Sequence, residues 1–153
     1  KSKIAGINVM DEDVSEASAG DSVSITLKDQ VDISRGDLIV RNDHFPQIGQ
    51  DIKLMACWFN EKPLKVGGKY IIRNYSNETA CLIKSVNYRM NINTLEKDTT
   101  DLHVNMNDIV SITIRTAKQL VYDSYKKNNI TGSLIIIEEG TNETAAAGMI
   151  MGE

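Results

Sequence analysis

The sequence predicts an all-β fold, on three observations. Apolar residues recur at every second position in several runs, clusters of turn-forming residues separate those runs at short intervals, and no stretch sustains an apolar period of 3.6. A sandwich or barrel follows.

The elements can be justified in chain order. Lys3 to Val9 reads as a first strand. Val23, Ile25 and Leu27 then alternate with Ser22, Ser24 and Thr26, which places the apolar set on one face of a strand. Leu38 to Arg41 is expected to be another short strand. Ile52, Leu54, Ala56 and Trp58 form an apolar face, and Met55, Cys57 and Phe59 make the opposite face apolar as well, the pattern of a strand covered on both sides. Leu82, Val86, Tyr88, Met90 and Ile92 are expected to share one face of a longer strand, and Val110, Ile112 and Ile114 one face of the next, against Ser111, Thr113 and Arg115. Gln119 to Lys127 leaves room for a helical turn or two. Leu134 to Ile137 and the apolar stretch after Asn142 predict two buried strands joined by a turn.

Turn signals lie at Ser18-Ala19-Gly20-Asp21, Ser34-Arg35-Gly36-Asp37, Val66-Gly67-Gly68-Lys69, Ser76-Asn77-Glu78 and Glu139-Gly140-Thr141-Asn142. A composition shift over Arg41 to Gly49 reads as a linker, giving a first unit over 1–42 and a second over 43–153. The second is expected to hold a six-stranded barrel over roughly residues 50 to 153, with Trp58 as a core anchor. The first, at about 40 residues, is too small to close a barrel alone and reads as an incomplete sheet.

Composition bounds function. The 153 residues are 41% hydrophobic and 25% charged, which suits a globular chain able to bury a core. A net charge of −4 and a lone basic doublet, Lys126-Lys127, give no electrostatic footprint for nucleic acid. No window reaches the ~18 apolar residues of a membrane helix. Cys57 and Cys81 sit in apolar runs, where free cysteine behaves as a small core hydrophobe, so no disulfide framework is expected. Asn-x-Ser/Thr tripeptides occur at Asn74, Asn77, Asn129 and Asn142, but no signal segment accompanies them, and a cytoplasmic protein is the expectation. The start at Lys1, without Met, suggests a processed product or an excised piece.

Candidate chemistry fails on spacing. Gly67-Gly68-Lys69 lacks the upstream Gly and the following Ser or Thr of a phosphate loop, where Pro63 and Tyr70 stand instead. His44 and His103 lack the partners of a metal site, and Asp11-Glu12-Asp13 lacks the Gly and distal Glu of a calcium loop, so it reads as a solvated turn. Arg35-Gly36-Asp37 is read as a turn rather than an adhesion motif, with Gly36 in a left-handed position. No nucleophile has a partner that sequence can place. No catalytic, cofactor-binding or metal-binding residue is therefore assigned.

At Ala19-Gly20-Asp21-Ser22-Val23, Asp32-Ile33-Ser34-Arg35-Gly36-Asp37-Leu38-Ile39 and Ala147-Gly148-Met149-Ile150, the chain resembles the second and third barrel domains of elongation-factor-type GTPases. Other segments resemble, more specifically, the large, GTP-binding subunit of bacterial sulfate adenylyltransferase. They are Trp58 with Glu61, Pro63 and Leu64; Asn91-Ile92-Asn93-Thr94-Leu95; and Asp123-x-Tyr125-x-x-Asn128 with Thr131-Gly132-Ser133 and Ile135-Ile136-Ile137. Asn91, Ile130 and Glu138 depart from the family, where Asp, Pro and Asp are usual.

The resemblance implies translation-factor-like barrels, one complete and one truncated, with 1–42 as the C-terminal half of the second domain and 43–153 as the third. It implies a parent nucleotidyltransferase that makes adenosine 5′-phosphosulfate and pyrophosphate from ATP and sulfate in sulfate assimilation. Its small subunit would catalyse the transfer, and its own GTPase domain would bind GTP with magnesium. The chain itself has no Walker loop, Asp-x-x-Gly or Asn-Lys-x-Asp. On this reading it is a structural and coupling piece without its own active site. The alternative is a translation-factor-like barrel module that docks a protein or RNA partner. A half-barrel with open strand edges also leads us to expect a homodimer.

Overall fold

A computed structural model describes residues 1–152. Among them are ten strands and no helix, and the chain divides into two compact units, Lys1–Asp37 and the chain from Leu38 onward.

The first unit is a three-stranded antiparallel sheet of β1 (Ile4–Val9), β2 (Glu12–Val14) and β3 (Ser24–Leu27) in the order β2-β1-β3. The chain reverses at Met10 and Asp11, both at positive φ (47° and 66°). The acidic run is therefore not one solvated turn: Asp11 makes the turn, while Glu12 and Asp13 lie in β2, and Asn8 Nδ2 donates to Asp13 Oδ1 at 2.6 Å. The two Ser-x-Gly-Asp segments fold alike. Asp21 N donates to Ser18 O and Asp37 N to Ser34 O at 3.1 Å each, and the Asp carboxylates accept from Ser18 N and Ser34 N. Gly36 has φ +108°, the left-handed position anticipated for it. Val23, Ile25 and Leu27 alternate as expected, yet they are only half-buried, and no residue of this unit is buried.

The second unit is built on β4 (Gln47–Trp58), β5 (Lys69–Asn74), β6 (Asn77–Met90), β8 (Ile109–Tyr122), β9 (Ser133–Glu138) and β10 (Thr144–Ile150), with the two-residue β7 (Lys97–Asp98) appended to β6. The order β5-β9-β10-β4-β8-β6 closes on itself because β5 also pairs with β6. Every neighbouring pair is antiparallel. The result is a six-stranded closed barrel.

Four expectations need correction. Leu38 to Arg41 forms no strand, and Gln47 to Gly49 belongs to β4 rather than to a linker. Gln119 to Tyr122 continues β8, and Ser124 to Asn128 is a turn, because Lys127 N and Asn128 N close on Ser124 O instead of starting a helix. In β6, bulges between Ile83 and Ser85 and between Val86 and Tyr88 shift the alternation. Cys81, Ile83 and Val86 thus enter the core, whereas Leu82 is exposed, Tyr88 is buried outside the core, and Ile92 lies exposed beyond the strand.

The inward face of β4 is as predicted, with Ile52, Leu54, Ala56 and Trp58 all buried. Trp58 is accommodated by the small residues of β10. Ala146 lies opposite Trp58 and Gly148 opposite Ala56, and a Cβ on Gly148 would come within 2.5 Å of Leu54 Cδ1. The indole Nε1 donates to Lys62 O at 2.8 Å, and its ring meets Tyr70 edge-on, with centroids 5.7 Å apart. Its apolar area and its one polar atom are thus both satisfied. Trp58→Ala is expected to destabilise the barrel by roughly 3 to 5 kcal/mol. Denaturant unfolding followed by far-UV circular dichroism measures this, and a loss under about 1 kcal/mol would place Trp58 outside the core.

Candidate functional site

The outward face of the same strands carries the site. Alternation along β4 turns Met55 and Cys57 outward, and along β10 it turns Ala147 and Met149 outward. With Ile135 of β9 they floor a groove of about 630 Å³ whose walls are Tyr75, Tyr125 and Ile130, with Arg73 at the rim. The expectation that β4 is covered on both faces is therefore overturned. Met55 and Cys57 are half-buried and Phe59 is exposed, because the barrel is a single closed layer of strands and these side chains point away from its core. Cys57 is thus not a core residue. Cys81 is, and burial pushes its thiol up to about 12.

The far wall is a rigid loop. Tyr125 N donates to Ile150 O at 2.9 Å, tying the turn to the end of β10, and Gly132 N donates to Asn128 O at 2.8 Å. Asn128 Oδ1 accepts from Ile130 N, and the Thr131 hydroxyl donates to Asp123 Oδ2 at 2.8 Å. Asn74, only 1% exposed, donates its amide to the carbonyls of Thr131 and Ser133 and so joins β5 to the loop. The Asp123-x-Tyr125-x-x-Asn128 and Thr131-Gly132 segments are therefore the scaffold that holds Tyr125 and Ile130 over the groove. Asn74, one of the glycosylation tripeptides, has its side chain enclosed for this structural purpose.

The near wall has a different origin. Asn74 pairs with Asn77 across the tight β5–β6 turn, and Tyr75 in that turn has φ +52° and is 59% exposed. An aromatic residue is uncommon in the left-handed region, where Gly or Asn avoids the steric cost. Local strain of this kind accompanies functional positions. Arg73, two residues earlier, makes a 2.7 Å ion pair with Glu78 across the turn.

Chemically, this groove can bury apolar side chains and little else. Its strands already have both neighbours, so a partner gains contact through side chains rather than by adding a strand. The other sequence candidates lie elsewhere. His44 and His103 are exposed, and no group of three or more His, Cys, Asp or Glu side chains that could hold a metal ion forms among the described residues. Gly67 and Gly68 shape the turn into β5, where Gly67 N donates to Ile83 O at 2.8 Å. Lys127 ion-pairs with Asp123 at 3.6 Å, and no helix among the described residues is long and apolar enough to cross a membrane. Sequence reasoning missed Tyr75 and Ile130. The usable signal for Tyr75 was an aromatic residue inside the Asn74-Tyr75-Ser76-Asn77 turn, and for Ile130 it was an apolar residue standing where the resembled family usually has Pro.

A closed antiparallel six-strand barrel is the architecture of translation-factor-like β-barrel domains. The solved structure of Sup35 complexed with GDP superposes with a TM-score of 0.79 at 12% identity, covering 99% of this chain and 37% of that one. Residues 51–151 match the GTP-eEF1A C-terminal domain-like family, and the chain belongs to it.

Among curated proteins, sulfate adenylyltransferase subunit 1 of Bacteroides fragilis is 33% identical over 150 residues, covering 98% of this chain and 31% of that protein. The bifunctional enzyme CysN/CysC of Mycobacterium tuberculosis is 35% identical over 150 residues, 97% of this chain and 24% of that protein. The chain thus spans about a third or less of the length of these relatives and corresponds to a C-terminal portion of them.

Gly132 is the point at which the groove wall can be tested. A Cβ there would lie 2.5 Å from Tyr125 N and 2.6 Å from Asn128 O, both backbone atoms that cannot step aside. Gly132→Ala is expected to destabilise the chain by about 1 to 3 kcal/mol and to free Tyr125. Chemical denaturation together with the Tyr125 ring resonances in NMR reads both effects, and an unchanged midpoint would contradict this account of the loop.

Proposed function

We propose that this chain is the C-terminal barrel region of a GTP-coupled sulfate adenylyltransferase large subunit and that it serves as a structural and coupling element without its own active site. The observation that carries the reading is sequence similarity to sulfate adenylyltransferase subunit 1 over nearly the whole chain, on a barrel of the matching class. In the parent enzyme, ATP and sulfate would give adenosine 5′-phosphosulfate and pyrophosphate on the small subunit. GTP with magnesium would act in a separate GTPase domain. The barrel would transmit the nucleotide state as a rigid body, since coupling requires contacts that differ between the two states. The cytoplasm is the compartment that suits this role.

The groove is the surface we assign to the small catalytic subunit. Its apolar floor, two tyrosines and rim arginine are the residue types that dominate protein–protein binding energy. The left-handed Tyr75 adds a strained aromatic that packing inside the barrel does not require. An RNA partner fits poorly, because the groove has no cluster of Lys or Arg to meet phosphates.

Two measurements test the reading. Titration of the chain into the small catalytic subunit of a related sulfate adenylyltransferase is expected to give saturable binding, weakened at least about tenfold by Met149→Asp. Undiminished binding by the variant would remove the groove from the interface. Equilibrium dialysis with labelled GTP is expected to give no saturable binding, since the chain has no phosphate-cradling loop. Micromolar affinity would place nucleotide recognition in the barrels themselves.

A further inference from the structure

The groove adds one chemistry to apolar contact, that of its sulfur atoms. Met55, Cys57 and Met149 all line it, and the strand register brings them together. Met149 stands directly opposite Met55, and Cys57 lies two residues along β4 on the same outward face, diagonal to Met149. Directly opposed residues have Cβ atoms about 4.5 to 5.5 Å apart, and diagonal ones about 7 to 8 Å. Two residues along a strand cover about 7 Å. A metal–sulfur bond is about 2.3 Å long, and the sulfur sits one bond beyond Cβ in cysteine and two beyond it in methionine. Three side chains so placed can converge on one ion.

The donor set is selective. No carboxylate and no imidazole lines the groove, so a hard or borderline dication finds none of its usual partners there. Thiolate and thioether donors favour Cu(I). Charge points the same way. Two thioethers are neutral and one thiolate carries a single negative charge, so a monovalent ion gives a complex of zero net charge. An apolar groove holds such a complex without the cost of a buried charge, whereas a dication would leave one positive charge uncompensated. Arg73, the cationic side chain at the rim, is already paired with Glu78 at 2.7 Å. Cys57 itself is flanked by apolar residues, with Ala147 opposite it on β10 and Ile109 opposite it on β8. Two other sulfurs are engaged elsewhere. Met151 Sδ accepts from Ser111 Oγ at 3.8 Å, and Cys81 belongs to the barrel core.

We propose that Met55, Cys57 and Met149 form a three-sulfur site for one monovalent soft metal ion, Cu(I). On binding, the S–H bond of Cys57 gives way to an S–Cu bond and the proton leaves to solvent, with no change of oxidation state. The two thioethers complete a trigonal set. The site goes beyond the docking role, and its test contains no partner subunit, so the two readings fail separately.

The test uses the full chain and Cu(I) held anaerobically by a colorimetric chelator, against which the protein competes. One equivalent of copper per chain is expected to bind, with a sulfur-only first shell in X-ray absorption. Cys57→Ser should weaken binding at least about a hundredfold, and Met55→Leu and Met149→Leu at least about tenfold each. Leucine nearly conserves the volume of methionine, so packing is kept while the donor is lost. Cys81→Ala should leave the affinity in place, and far-UV circular dichroism checks that each variant stays folded. Zn(II) at the same concentrations should show no saturable binding. Binding that survives Cys57→Ser, affinity indifferent to both methionine variants, copper bridging two chains, nitrogen or oxygen in the first shell, or Zn(II) bound as tightly as Cu(I) would each overturn the proposal.

Discussion

β5 pairs with β6 through the tight turn at Tyr75 and Ser76 and with β9 on its other side, so one six-residue strand turns an open sheet into a ring. The rest of the second unit depends on that closure. Once the ring is closed, every barrel strand has two neighbours and no backbone edge is left to satisfy. The inward residues then face one another across an interior small enough for side chains to fill it. Trp58 can occupy that interior only because β10 answers with Ala146 and Gly148. Leu64 and Val104, from two connecting loops, complete the core.

The first unit shows the same rules without closure. β3 alternates as the barrel strands do, and the turns of this unit repeat one Ser-x-Gly-Asp device twice, but three strands cannot enclose an interior. Half-buried apolar residues are the result.

Closure also accounts for the groove. A single-layered ring sends every second side chain outward, and where those side chains are Met55, Ile135 and Met149 the outside of the barrel is apolar. Two turns raise walls around it. One is braced by buried hydrogen bonds that Asn74 donates and Asp123 accepts, and the other holds Tyr75 in a left-handed conformation. The packed core and the apolar groove thus use opposite faces of the same strands.

Much of this was legible in the sequence, because period two is a local property. The inward face of β4 and the core residues Val110, Ile112 and Ile114 of β8 were legible at every second position, the β9–β10 pair was visible as two apolar stretches around a turn, and Trp58 was identifiable as an anchor by its neighbours. The failures share one cause. The bulges that turn Leu82 outward, the continuation of β8 through Gln119 and the bare outer face at Met55 and Cys57 depend on which strand lies alongside and on whether anything covers the far side. Neither is encoded in the spacing of a single strand. The sequence by itself determined the all-β class and the core-facing residues of the regularly alternating runs, β4 and the first half of β8, since alternation and turn chemistry act within a few residues. Only the tertiary structure decided ring closure, register and the groove, because hydrogen bonds and packing between distant strands set all three.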